Sequence, residues 1–148
     1  MQSLPTLPQR TWFERASLGL AIGISAMGGL TLAGWWLRID GFVQPIADLP
    51  PLKINAALAF FAIGLALLAL ELGKRKLAPV AVVATVIGLV SLAQDVFRTD
   101  FKVDEFLGRD HLLINTEHPG RMAAMVAACL ILGSSVLVWC AINRASSA

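Results

Sequence analysis

Tyrosine is absent from this 148-residue chain, and charge is scarce. Lys, Arg, Asp and Glu make up 15% of it, against 57% hydrophobic residues. A soluble domain of this length needs charged side chains to cover its surface, and too few are present. A mean hydropathy of +0.72 fits a bilayer as the solvent. The formal net charge is only +2, and no basic stripe interleaved with aromatics is present, which argues against a nucleic-acid partner. Cysteine is rare as well. Cys129 and Cys140 lie eleven residues apart, roughly 16 Å along a helix, too far for a mutual disulfide. Their spacing matches no metal site, and both read as small packing residues. The chain lacks a Ser/His/Asp order, a phosphate-cradling glycine loop and paired catalytic carboxylates. The expectation is therefore a non-enzyme with no cofactor and no metal.

What is present is four apolar runs, at residues 17–37, 54–72, 77–97 and 122–142. Each has the length that crosses about 30 Å of hydrocarbon as a helix. The first is too long and too late for a cleaved leader, and its end, Gly34-Trp35-Trp36-Leu37, offers no small-residue cleavage site. The four tryptophans (Trp12, Trp35, Trp36 and Trp139) sit near the ends of the runs, where indole rings favour the headgroup level. The expected architecture is an all-α membrane protein, one domain over 1–148, built as a four-transmembrane-helix bundle.

Orientation rests on Lys74-Arg75-Lys76, in the short linker between the second and third spans. Short basic loops stay in the cytoplasm. Both termini are then cytoplasmic, in a multi-pass protein of the cytoplasmic (inner) membrane. Six Lys or Arg fall on each side, so the clustering decides and not the count. Two loops, 38–53 and 98–121, face outward. In the second, Phe101, Phe106, Leu107, Leu112 and Leu113 are too apolar for a free loop. They predict a short amphipathic segment on the membrane or over the mouth of the bundle.

The two halves resemble each other. A shift of 60 aligns Leu32-Ala33 with Leu92-Ala93, Arg38 with Arg98 and Asp40 with Asp100. A shift of 68 aligns Pro51-x-Lys53 with Pro119-x-Arg121. The matches predict an internal repeat, with spans one and two packed against spans three and four about a pseudo-twofold axis along the membrane normal. In span one, Gly19 and Gly23, with Gly29 beyond, make a small-residue face. It serves either packing within the bundle or a homodimer seam.

Few polar residues are placed to carry function. Asn55, at the outer end of span two, either caps the helix or hydrogen-bonds a ligand headgroup. Gln94 and Asp95 lie near the outer end of span three. A carboxylate there needs a partner, either an ion pair with Arg38, Arg98 or Arg121 or a role in sensing or proton transfer. Asp104, Phe106, His118 and Arg121, in the second loop, complete the ligand or sensing candidates. His111 and His118 lack metal spacing.

The stretch Leu52-Lys53-Ile54-Asn55-Ala56-Ala57-Leu58-Ala59-Phe60, continued by Gly64-Leu65-Ala66-Leu67-Leu68, resembles a run in many bacterial signalling proteins. Asp100-Phe101-Lys102-Val103-Asp104-Glu105-Phe106-Leu107 and His118-Pro119-Gly120-Arg121-Met122-Ala123 resemble the second loop of the same proteins. These are the N-terminal membrane input regions of sensor histidine kinases, often hybrid or PAS-containing, and of some diguanylate cyclases. The resemblance covers about residues 20 to 145. It departs at Leu52 for the first repeat's Met, and in the second copy at Met125 for Asn, Ala128 for Leu and Leu130 for Phe. It implies a sensory input module of a two-component or cyclase protein, non-catalytic by itself, signalling through span four to a downstream domain if the chain is a fragment. The rival expectation is an accessory subunit of a larger membrane complex. Beyond the lipid bilayer, the partner is accordingly a second copy or that complex. A small membrane enzyme or carrier would have only Asn55, Gln94 and Asp95 to work with.

Overall fold

The computed structural model describes residues 11–46, 49–99 and 122–145, with the side chains of the last two left aside. All regular structure among them is helical: α1 (Trp12–Leu37), α2 (Asp40–Val43), α3 (Ile54–Glu71), a 3-10 segment (Arg75–Ala81), α4 (Val82–Phe97) and α5 (Ala124–Ala145). Four stretches are long and apolar enough to cross a membrane: α1, α3, the 3-10 segment continued by α4, and α5. The chain is a multi-pass helical membrane protein, as its composition requires. The amphipathic segment expected in the second loop lies outside the described residues.

The spans differ from the apolar runs at their ends, for local reasons. α1 starts at Trp12, five residues before the run, because Thr11 and Glu14 form a capping box. The Glu14 N–H donates to Thr11 Oγ1 at 3.4 Å, and the Thr11 N–H donates to Glu14 Oε2 at 2.9 Å. Two of the orphan N–H groups of a helix start are thereby satisfied. The third span opens as a 3-10 segment containing Pro79. Proline has no N–H to give the ladder and crowds the preceding turn, so regular α-helix starts only at Val82.

Lipid is as apolar as leucine, so helices associate in it through close packing and hydrogen bonds. Alanine-rich α3 is the central helix. One of its faces, Ala57, Phe61 and Gly64, receives α1; the other, Ala56, Ala59, Phe60 and Ile63, packs with Ala84, Met122, Ala127 and Leu130 of the second helix pair. At Gly28 of α1 an added Cβ would lie 2.5 Å from the Phe61 backbone nitrogen and 2.8 Å from the Ala57 carbonyl oxygen. At Gly88 of α4 it would lie 2.9 Å from the Ala127 carbonyl oxygen and 2.8 Å from Ile131. At the far end of the pair α1–α3, the Ser17 hydroxyl donates to Glu71 Oε1 at 2.5 Å.

These contacts repeat. Gly28 and Gly88 are 60 apart, as are Ser25 and Thr85; Ala57 and Ala127 are 70 apart, as are Phe61 and Ile131, and Gly64 and Ser134. Arg38 and Arg98, aligned by the sequence, are the two non-glycine residues with positive φ among those described, at 57° and 49°. Each follows its helix in the left-handed conformation, and the next residue's N–H reaches back five residues: Ile39 to the Gly34 carbonyl, Thr99 to the Gln94 carbonyl. Each copy is therefore one helix pair with one way of packing. The symmetric arrangement of the two pairs is not realised among the described residues. α1 packs on α2 and α3 and touches α4 and α5 at most marginally, whereas α3 contacts α4, α5 and the 3-10 segment. Small residues on two faces of α3 allow neighbours on both sides.

Candidate functional site

The end of the bundle at which α3 begins and α4 ends gathers most of the buried polar side chains. Thr31 is 4% exposed, Lys53 6%, Asn55 5%, Ser91 1% and Gln94 0%. Ser134, also buried, lies deeper and bonds across the α4–α5 interface to the Thr85 hydroxyl at 2.7 Å.

In the first copy these groups lock the first loop onto the helices. The Thr31 hydroxyl donates to the Phe42 carbonyl at 3.2 Å, and the Trp35 indole donates to the Leu52 carbonyl at 2.9 Å. The Leu52 N–H donates to the Val43 carbonyl at 3.0 Å, and the Val43 side chain is fully buried. Gly34 makes room for this fold-back, since a Cβ there would meet Phe42 Cβ at 2.7 Å. A stretch with three prolines reads as open loop in the sequence; it is a folded part of the bundle.

The second copy carries different chemistry at the equivalent places. Ser91 stands where Thr31 does, Gln94 where Gly34 does and Asp95 where Trp35 does. The Ser91 hydroxyl is buried and meets no hydrogen-bond partner among the described residues. A buried hydroxyl left so costs about 1–3 kcal/mol. Gln94 is fully buried three residues on, on the same helix face. Asp95 is half-buried and engaged in a polar contact. The ion pair expected for it with Arg38 or Arg98 is not among the contacts of the described residues.

The N-cap position of α3 is Lys53, with no side-chain cap bond; Asn55 lies inside the first turn, where its Oδ1 accepts the neighbouring Ala56 N–H at 2.8 Å. Lys53, which sequence reasoning left in the loop, is buried beside it in the chain and engaged. Asp104, Phe106, His118 and Arg121 lie outside the described residues. A Cβ added at Gly19 or Gly23 would meet nothing within 4 Å, so neither is packed against a neighbour in this bundle; one added at Gly29 would lie 3.3 Å from the Phe61 ring. The close-packed glycines are Gly28, Gly34, Gly64 and Gly88, which sequence reasoning did not single out for packing. The repeat held the signal, since Gly28 and Gly88 align at the same shift as Arg38 and Arg98. Cys129 is exposed on α5 and Cys140 half-buried.

Among the described residues no group of three or more His, Cys, Asp and Glu side chains gathers to hold a metal. Among the described residues the site gathers two buried amides, a buried ammonium and a buried hydroxyl; Lys53, Asn55 and Gln94 are engaged, and the Ser91 hydroxyl has no partner. No family model, no curated protein and no solved structure matches the chain.

Proposed function

We propose that the chain is a membrane-embedded sensory input module of a bacterial signal-transduction protein, non-catalytic by itself. Its place is the cytoplasmic membrane, with both termini in the cytoplasm. The observation that carries this reading is the contrast between Thr31 and Ser91. The first copy uses its hydroxyl to tie down a loop; the second keeps an equivalent buried hydroxyl unspent, beside a buried amide. A site with unspent hydrogen-bonding capacity at one end of a helix pair suits a device whose packing a stimulus shifts. The shift would leave through α5, which packs on α4 through Gly88 and the Thr85–Ser134 bond. The exposed Lys74, Arg75 and Lys76 support the cytoplasmic placement of the linker. The resemblance of residues 52–68 and 118–123 to the input regions of sensor kinases supports the sensory role.

A second reading, an accessory subunit of a larger membrane complex, draws on the exposed face of α1. There Trp12, Phe13 and Leu20 accompany the open Gly19 and Gly23. Reading the source gene beyond the codon for Ala148 separates the two. A frame continuing into a kinase, PAS or cyclase domain supports the sensory reading, and an immediate stop moves the accessory reading to first place.

A further inference from the structure

The fold-back of the first loop leaves a groove of about 210 Å³ between α1 and the loop, walled by Met27, Thr31, Val43, Ile46, Leu49 and Leu52 among others. Its rim is exposed at Met27, Ile46 and Leu49. Met27 lies ten residues before the end of α1, about 15 Å along the axis. The groove therefore runs from the level of the loop to the middle of a span, on a flank continuous with the exposed apolar Leu20 and Leu30. That flank belongs to a helix built to cross the bilayer.

We propose that this groove holds a hydrocarbon chain of a bilayer lipid, entering sideways from the membrane. Among the described residues, the walls carry no charged side chain. The two polar ones are engaged: Thr31 donates to the Phe42 carbonyl, and Gln44 Nε2 donates to the Leu49 carbonyl at 2.8 Å. A ligand read through hydrogen bonds or charge finds little here, and a water needs two to four polar partners that this lining does not supply. Apolar cavities of even about 150 Å³ stay dry and take up apolar guests. At this depth the guest within reach is the acyl chain of a neighbouring lipid. A whole helix of a second copy, about 10–12 Å across, is too wide to enter. The inference is independent of the sensory reading, because it rests on the first copy and on contacts that copy makes with its own loop.

Trp35 reports on the groove, because it is 7% exposed and its indole bonds to the carbonyl of Leu52, one of the wall residues. The test uses the full chain with Trp12→Phe, Trp36→Phe and Trp139→Phe, leaving Trp35 alone. It is reconstituted in vesicles of phosphatidylcholine with brominated or ordinary acyl chains. Trp35 emission should be quenched in the brominated vesicles. Met27→Phe, which plugs the groove from the helix, and Ile46→Phe, which plugs it from the loop, should each restore most of the lost intensity. Leu20→Phe, exposed on the same flank but two turns away from the groove, should restore none. Equal emission in the two vesicles would overturn the proposal. So would quenching that the two plugs and the control leave equally unchanged, which is ordinary contact with surrounding lipid.

Discussion

Gly28 and Gly88 occupy the same place in two copies of one helix pair. A Cβ at Gly28 would lie 2.8 Å from the carbonyl oxygen of Ala57, and a Cβ at Gly88 would lie 2.9 Å from that of Ala127. The two carbonyls are 70 residues apart and the two glycines 60. In both copies the obstacle includes backbone, which cannot swing aside as the tip of a side chain can. Close approach of backbones is what holds helices together in lipid.

Gly28→Ala and Gly88→Ala should therefore each destabilise the fold by about 1–3 kcal/mol, as overpacking does. Gly19→Ala and Gly23→Ala, which meet open space, should stay within about 0.5 kcal/mol. Reversible unfolding in mixed micelles, followed by helix content, gives all four values. A loss at Gly19 or Gly23 as large as at Gly28 would mean that those positions are packed after all.

Arg38 and Arg98 hold left-handed backbone that costs a residue with a Cβ roughly 1–2 kcal/mol, a cost glycine does not bear. Glycine gives part of that back through its freer unfolded chain, so Arg38→Gly and Arg98→Gly should each stabilise by about 0.5–1 kcal/mol. A higher melting temperature is the readout. Destabilisation would show that the guanidinium groups make contacts worth more than the backbone strain.

Trp35→Phe keeps an aromatic ring, smaller than the buried indole, and removes the N–H that satisfies the Leu52 carbonyl. The cost should be about 1–3 kcal/mol. Backbone amide exchange at Leu52, whose N–H is bonded to the Val43 carbonyl, should quicken in the same variant. Unchanged exchange would mean that the first loop is held without Trp35.

Thr85→Val and Ser134→Ala each remove one side of the hydroxyl pair that links α4 to α5. A double-mutant cycle should give a coupling of about 0.6 kcal/mol, the size found for hydrogen bonds between membrane helices. Additive losses would show that the two hydroxyls act separately.

The four spans were legible because length and apolarity alone define them. What escaped was phase and capping. Glu14 and Arg15 look like a charged flank, yet the Thr11–Glu14 capping box carries α1 back to Trp12. Gly19-x3-Gly23 spells a packing motif, but Gly28, five residues beyond Gly23, points about 140° away around the helix, and that face meets α3. Gly28 repeats as Gly88, whereas Gly19 and Gly23 align with Pro79 and Val83. The repeat was legible at Arg38 and Arg98 but slipped beyond them, since the second helices of each pair align at 70 and not at 68. The first loop was unreadable because its order comes from Thr31, Trp35 and Val43, which bond and bury only once α1 and α3 have met.

The most direct test of the sensory reading is the company the protein keeps in its own membrane. The chain, tagged at its chromosomal locus and extracted with mild detergent, should run as a monomer or homodimer, together with any signalling domain that its gene appends. A different membrane protein co-purifying at fixed stoichiometry would contradict the account and make this chain a subunit of that complex.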